Sequence, residues 1–149
     1  MSAKSEKAKQ LFLKGYNCSQ AVVGAFCEDL GLDFDTAMKL SSSFGGGMGR
    51  LREVCGAVSG MFILAGLKYG YSDPTDKTAK TEHYKLIQDM ATKFKEDNGS
   101  IICRELLGEK NKNFSHIPSD RTTEYYKKRP CAELVEIAAL VAEKILSDK

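Results

Sequence analysis

Apolar residues recur at spacings of three and four along most of the chain, which is the period of an amphipathic α-helix. No stretch alternates between apolar and polar residues for long enough to predict a strand. We therefore expect an all-α fold, a bundle of about six or seven helices. The predicted helices cover about residues 3–13, 17–30, 35–43, 52–69, 75–96, 101–108 and 130–145.

The helix predicted for about residues 52–69 is apolar on nearly every side and contains the run "AVSGMFILAGL". A helix without a polar face is buried all round, so we expect this one at the centre of the bundle, with the others packed around it. The helix predicted for about residues 75–96 is amphipathic instead. Its inward face is expected to comprise Tyr84, Ile87, Met90, Ala91 and Phe94.

Residues that cap or stop a helix mark several helix ends. Asn17 begins the second helix, Gln20 can complete a capping box with it, and Gly31 ends the helix. Pro130 favours the first turn of the last helix. The polar stretch at residues 108–129 is long for a structureless connection, so we expect a surface flap or a partly helical segment there.

The length of 149 residues and the lack of internal repeats predict one domain over residues 1–149. No apolar run approaches the roughly 20 residues needed to span a bilayer, so we expect a soluble protein with no membrane partner. The N-terminal "MSAKSEKAKQ" lacks the apolar core of a signal peptide, which favours a cytoplasmic location. A net charge of only +2 argues against nucleic acid as a partner.

Four of the five cysteines lie where helices are predicted to begin: Cys18, Cys55, Cys103 and Cys131, with Cys55 in the first turn of the central helix. Amides and the helix dipole at an N-terminus stabilise a thiolate, so we expect these thiols to have pKa values below that of a free cysteine. Four arginines within five residues of these cysteines would add to the effect if they face the sulfurs: Arg50, Arg52, Arg104 and Arg129. Cys27, deep inside a helix, is expected in the core.

The cysteine spacing excludes some familiar sites. No CxxC is present, so neither a thioredoxin-like dithiol nor a zinc-finger knuckle is predicted. A site must instead be assembled from helix ends that the fold brings together. Four thiolates would suit zinc or an iron–sulfur cluster, and two close pairs would suit reversible disulfides. His83 and His116 are weaker ligand candidates, because surface histidines are commoner than metal ligands.

The glycine-rich stretch "FGGGMGRLREVCGAVSG" at residues 44–60 has neither the lysine and hydroxyl of a P-loop nor a preceding strand, so nucleotide binding is not favoured. Glycine allows a neighbouring helix or a compact cofactor to approach closely. Close packing of helices without any chemistry also explains the glycines, but it does not explain a cysteine at a helix end among them. The candidate cofactor-binding residues are Gly45, Gly46, Gly47, Arg50 and Gly56.

The stretches "NCSQAV", "FGGGMGRLREVCGAVSG", "CRELLG" and "RPC" resemble the redox-active protein family named C_GCAxxG_C_C after its cysteine pattern. The resemblance covers nearly the whole chain and implies a functional set of Cys18, Cys55, Cys103 and Cys131. One departure is that Val54, not glycine, precedes Cys55. A related segment accompanies haem domains in split-Soret cytochromes, which implies by analogy a cysteine-ligated iron site. Covalent haem is not expected, because the chain has no CxxCH.

Three hypotheses remain open. In the first, a low-pKa thiolate, best assigned to Cys55 or Cys18, attacks a disulfide or an oxidant and a second cysteine resolves the product, with a redox partner that the sequence does not specify. In the second, all four cysteines bind zinc or an iron–sulfur cluster without turning over a substrate. In the third, the cysteines are inert and the chain is a helical interaction module, whose apolar helix packs a core or the interface of a homodimer.

Overall fold

The structure, a computed structural model, describes residues 2–108 and 113–147. Within them lie eight α-helices: α1 (Ala3–Leu13), α2 (Cys18–Phe26), α3 (Phe34–Ser41), α4 (Gly56–Tyr69), α5 (Lys77–Asn98), α6 (Cys103–Leu107), α7 (Thr123–Lys128) and α8 (Cys131–Ser147). Short 3₁₀ turns follow α2 and α3, at Cys27–Leu30 and Ser42–Phe44. The prediction of an all-α fold is confirmed.

The core lies between α1, α2, α4 and α8, and α5 packs against α4 and α8. One continuous cluster of buried apolar side chains joins these helices. Its members include Phe12, Val22, Met61, Phe94 and Val135. The chain is therefore a single-domain helical bundle, as predicted. No helix in the described part of the chain is both long enough and apolar enough to cross a membrane.

Helix α4 is enclosed over its first half. Residues 56–61 are all buried, whereas Leu67 near the C-terminal end is 41% exposed. At Gly60 the helix approaches α2 so closely that an added Cβ would lie 3.0 Å from the Ser19 carbonyl oxygen. The small residues at the start of α4 thus allow close packing, which brings the N-terminal ends of α2 and α4 together.

The predicted capping box at the start of α2 is confirmed. The Gln20 N–H donates to Asn17 Oδ1 at 2.9 Å, and the Asn17 N–H donates to Gln20 Oε1 at 3.1 Å. The α-helical part of this segment is shorter than predicted, because a 3₁₀ turn replaces it from Cys27 onward. Gly31 ends the whole segment, as predicted, with a φ of 84°.

Helix α5 begins after the cap residue Asp76, whose side chain accepts a hydrogen bond from the Ala79 N–H. Met90 and Phe94 are buried as predicted. The inward position predicted for Tyr84 is wrong, because this residue is 54% exposed. Only the C-terminal half of α5 has buried residues, so the periodic apolar face extends beyond the part of the helix that packs on the core.

The central helix begins later than predicted, at Gly56, and Cys55 is its N-cap rather than a residue of its first turn. The cause is the backbone of the preceding loop. Residues 46–50 have φ values between 58° and 70°, and Arg52 has a φ of 61°. A left-handed backbone costs an ordinary residue roughly 1–2 kcal/mol. Met48, Arg50 and Arg52 therefore have a strained backbone. A right-handed helix cannot include them, so it begins only after Arg52.

Two extended segments pair just before α4 and α6. The Cys55 N–H donates to the Ile101 carbonyl at 2.8 Å, and the Cys103 N–H donates to the Glu53 carbonyl at 2.6 Å. This short antiparallel contact sets the N-terminal ends of α4 and α6 side by side. It also delays the start of α6 to Cys103, although Ser100 accepts a hydrogen bond from the Ile102 N–H at 2.9 Å.

The long connection after α6 is partly helical, as predicted, because it contains α7. Its residues 109–112 lie outside the described residues. The segment that follows them lies across the glycine loop. Arg52 Nε donates to the Asn113 carbonyl at 2.9 Å, and Arg50 Nε donates to the Ser115 carbonyl at 2.7 Å. We call residues 113–122 the covering segment.

Candidate functional site

The four cysteines predicted at helix ends line one cavity of about 270 Å³. Cys18, Cys103 and Cys131 are the first residues of α2, α6 and α8, and Cys55 caps α4. Cys27 lies apart from them in the core, as expected. All five cysteines are free thiols. The fold therefore gathers cysteines from four separate helix ends, while their chemical roles remain predictions.

Cys18 and Cys55 lie where α2 and α4 come close together. An added Cβ at Gly56, the residue after Cys55, would lie 2.4 Å from the Cys18 sulfur and 2.8 Å from the Phe44 carbonyl oxygen. Real Cβ atoms do not come this close to other atoms, so only glycine leaves room here. Gly56 therefore allows the Cys18 thiol to rest against the start of α4.

The other glycines that were predicted to bind a cofactor differ in whether they line the cavity. Gly45 and Gly46 border the cavity together with Arg50. Gly47 is not among the residues that line it. An added Cβ at Gly47 would lie 2.6 Å from Cys103 Cβ, and its φ is 70°. Gly47 therefore lies directly against the Cys103 side chain. Any other residue at this position would have a strained backbone at this positive φ and a Cβ too close to Cys103.

The low pKa predicted for the Cys55 thiol is wrong. Burial raises its pKa well above the ordinary value, and the neighbouring Cys18 thiol raises it further. The backbone amides of Ala57 and Val58 act in the opposite direction, as expected at a helix N-terminus. Burial disfavours the charged form more strongly than these amides stabilise it.

Burial also raises the pKa of two more cavity thiols. Burial raises the pKa of Cys103, although the Arg52 guanidinium beside its sulfur opposes the shift. Cys131 is partly exposed as a residue, but desolvation, followed by the effects of Cys18 and Cys103, raises its pKa to about 12. The position of a cysteine at a helix end therefore does not by itself make it a thiolate.

The cavity is rich in positive charge. Four arginines line it, Arg50, Arg52, Arg121 and Arg129, and none of its described lining residues is an Asp or Glu. Arg52 is only 1% exposed, and its Nη1 lies 3.8 Å from the Cys103 sulfur. Arg104 does not line the cavity, because it forms an ion pair with Glu53 at 3.0 Å. Three of the four arginines considered in the sequence thus border the cavity, and Arg104 does not.

Arg121 is a cavity residue that sequence reasoning missed. Its Nη1 donates to the Phe12 carbonyl at 2.8 Å and its Nη2 donates to the Tyr16 carbonyl at 2.9 Å. The guanidinium also lies 4.2 Å from the centroid of the Phe12 ring. No local motif marks Arg121, because these partners are 109 and 105 residues away along the chain.

The arrangement of ligating side chains does not fit a metal site. Across residues 2–108 and 113–147, no three His, Cys, Asp or Glu side chains are grouped so that they could hold one ion. The four sulfurs, as they lie, therefore do not match the tetrahedral zinc or iron–sulfur coordination that the sequence also suggested. His116 borders the cavity and His83 lies against the Tyr71 ring, but neither joins such a group.

These features define a class of protein: a helical bundle in which four thiols from four helix ends share a cationic cavity. A family model described as "Putative redox-active protein (C_GCAxxG_C_C)" matches residues 16–145, a range that contains all five cysteines. The chain therefore belongs to the C_GCAxxG_C_C family, as its motifs suggested. No curated protein and no solved structure matches the chain significantly.

Proposed function

We propose that the protein carries out two-electron thiol–disulfide exchange at its cavity, with Cys18 as the attacking thiol and Cys55 as the resolving thiol. The observation that carries this proposal is the close approach of α2 and α4, where the Cys18 sulfur rests against Gly56, next to Cys55. Two cysteines that are both reduced and adjacent can form a reversible disulfide. The family description as redox-active agrees with this chemistry.

Its exposure makes Cys18 the better attacking group. It is partly exposed, whereas Cys55 and Cys103 are buried, so a substrate disulfide can reach its sulfur. Cys131 is partly exposed as well, but its pKa of about 12 keeps its thiol protonated at neutral pH.

The exchange occurs in two balanced steps. The Cys18 thiolate attacks one sulfur of the substrate disulfide, the substrate S–S bond breaks, and the leaving thiolate departs with the electron pair and takes up a proton. Cys55 then loses its proton and attacks the Cys18 sulfur, which forms the Cys18–Cys55 disulfide and releases the second substrate thiol. The protein loses two electrons and two protons, and the substrate gains both. The reverse sequence oxidises a dithiol partner.

Thiol counting on cysteine variants tests the assignment. The wild-type protein is purified without oxygen, exposed to a small excess of a disulfide, and analysed by intact-mass spectrometry. We expect an intramolecular disulfide in the wild type, a trapped mixed disulfide on Cys18 in Cys55→Ser, and little reaction in Cys18→Ser. The core variant Cys27→Ala is the matched control and is expected to react like the wild type.

Two results would contradict the proposal. One is the formation of the same intramolecular disulfide in Cys55→Ser as in the wild type. The other is stoichiometric iron or zinc in the same anaerobic sample, with the four cavity thiols protected until the metal is removed. The second result would support the metal-binding alternative instead.

A further inference from the structure

Two arginines beside the thiols have buried donors without partners. Arg50 and Arg52 both border the cavity, and the Nη2 atom of each is buried and makes no hydrogen bond to any residue in the described part of the chain. The other donors of Arg52 reach the Asn113 carbonyl and the Cys103 sulfur. Those of Arg50 reach the Ser115 carbonyl and the Ser119 hydroxyl. All four of these partners lack a formal negative charge when the thiol is protonated.

Within residues 2–108 and 113–147, no acidic side chain compensates the two guanidinium groups. None of the described cavity residues is an Asp or Glu, and neither arginine takes part in an ion pair found among the described residues. A buried charge ordinarily has a charged or fully hydrogen-bonded partner, because an unpaired one is costly. The charge of Arg52, at 1% exposure, therefore has no acidic partner among the residues that the structure describes.

The two guanidinium groups also act on each other. Burial lowers the pKa of Arg50, and the nearby charges of Arg52 and Arg129 lower it further. An anion in the cavity would relieve this repulsion. The N-terminal ends of α2, α4 and α8, which are 9, 14 and 17 residues long, meet at the same cavity and add partial positive charge.

We propose that Arg50 and Arg52 bind an oxyanion group, a carboxylate, phosphate or sulfate, and that the disulfide substrate of the cavity carries this group. The second half of this inference rests on the proposed exchange at Cys18. Guanidinium groups suit such anions because their planar donors can form paired hydrogen bonds to two oxygens. The arginines thereby place the anionic end of the substrate while its S–S bond faces the thiols.

Binding of inorganic sulfate and phosphate tests the anion site without any thiol chemistry. Affinity is measured by calorimetry and by thermal unfolding, at constant ionic strength set with chloride. We expect the wild type to bind at least one of the two anions, and Arg52→Met to bind it at least about tenfold more weakly, since charge-assisted hydrogen bonds are lost. Lys85→Met, a change of equal charge on the exposed surface of α5, is expected to bind like the wild type.

Circular dichroism establishes that the variants are folded. Arg50→Met supplies the same test if Arg52→Met does not fold, because Arg50 is less buried. No sulfate or phosphate binding by the wild type, or equal binding by a folded arginine variant, would overturn the anion site.

A pair of chromogenic disulfides tests the role of the anion in the exchange. Dithiobis(nitrobenzoate) has a carboxylate on each half, whereas dithiodipyridine has none. We expect Arg52→Met to slow the reaction of Cys18 with the anionic reagent about tenfold or more, and to change the rate with the neutral reagent by less than about twofold. Equal slowing with both reagents would overturn the assignment, because a merely structural role would affect both.

The two proposals fail in different ways. Sulfate or phosphate binding that depends on Arg52, in a protein whose Cys18 and Cys55 form no disulfide, would leave the anion site and overturn the exchange. Disulfide formation at Cys18 and Cys55 without anion binding or any preference for the anionic reagent would leave the exchange and overturn the anion site.

Discussion

At the scale of single residues, desolvation has the largest effect on the pKa values of three cavity thiols. Cys55, Cys103 and Cys131 all lie at helix N-termini, where the dipole favours a thiolate, yet burial raises the pKa of each. A positive neighbour alone does not reverse this, because Arg52 beside Cys103 only reduces the shift. These thiols are therefore proton-bearing groups in the resting protein, and they become nucleophiles only after losing a proton during a reaction.

The raised pKa of Cys131 predicts a loss of stability at alkaline pH. Its thiol has a pKa of about 12 in the fold, against an ordinary value of 9.0. The folded state holds the proton more tightly than the unfolded state. The contribution of this thiol to the free energy of unfolding is therefore fully present below the pKa of the unfolded state, and it is lost as pH rises from about 9 towards about 12. We expect the free energy of unfolding to fall less steeply in Cys131→Ser than in the wild type across this range.

Urea unfolding at a series of pH values measures the two slopes. Burial also raises the pKa of Cys27, which lies outside the cavity, so Cys27→Ala serves as a second test and is expected to reduce the slope in the same direction. Since lysines and tyrosines titrate in the same range, only the difference between variants is informative. Equal slopes for Cys131→Ser and the wild type would show that this thiol titrates alike in the folded and unfolded states.

At the scale of helices, the site depends on how closely α2 and α4 approach. Helix α4 contains three glycines, and each lowers helix propensity by roughly 1 kcal/mol relative to alanine. Gly56 and Gly60 are in close contact with α2, whereas an added Cβ at Gly66 would meet no atom within 4 Å. The first two glycines therefore serve packing at the site, and Gly66 does not.

Alanine at two of these glycines is expected to have opposite effects. Gly56→Ala places a Cβ against the Cys18 sulfur and a backbone oxygen, so we expect the free energy of unfolding to fall by roughly 1–3 kcal/mol. The displaced sulfur should also slow formation of the Cys18–Cys55 disulfide. Gly66→Ala, in the same helix, is expected to raise stability by about 0.5–1 kcal/mol. Chemical denaturation and disulfide formation are measured on both; equal stabilities would contradict the tight packing at Gly56.

At the scale of the whole molecule, the walls of the cavity are joined by contacts between distant parts of the chain. The covering segment is held to the glycine loop by Arg50 and Arg52. Arg121 joins the end of this segment to the carbonyls of Phe12, near the end of α1, and Tyr16, after α1. These contacts connect the N-terminal region and the glycine loop to the covering segment. Access to the thiols therefore depends on them.

Removal of the Arg121 contacts is expected to weaken the fold and open the cavity. Arg121→Met loses two charge-assisted hydrogen bonds and the stacking on Phe12, so we expect the free energy of unfolding to fall by roughly 1.5–3 kcal/mol. Alkylation of the cavity thiols under native conditions should become faster. Lys127→Met, an exposed change in α7, is the control and should alter neither quantity measurably. An unchanged alkylation rate in Arg121→Met would mean that this arginine does not limit the access of reagents to the cavity thiols.

Much of the fold and part of the site were predictable from local sequence signals. The apolar period placed most helices within a few residues of their observed bounds, and the capping box of Asn17 and Gln20 marked the start of α2 correctly. The start of α4 was misplaced, because a left-handed run at residues 46–50 has no clear signature once Met48 and Arg50 stand among the glycines. The exposed Tyr84 shows the same limit, since periodicity does not reveal how much of a helix the core covers.

The sequence alone establishes an all-α chain with cysteines at helix ends, because helical period, capping and proline signals act over a few neighbouring residues. The tertiary structure decides which ends meet, that Cys18 rests against Gly56, and that Arg121 joins the cavity, because these contacts link residues tens to more than a hundred positions apart. It also decides the sign of the pKa shifts of the buried thiols. A helix end stabilises a thiolate through local amides, whereas desolvation comes from the whole surrounding protein, and in this cavity desolvation is the larger effect.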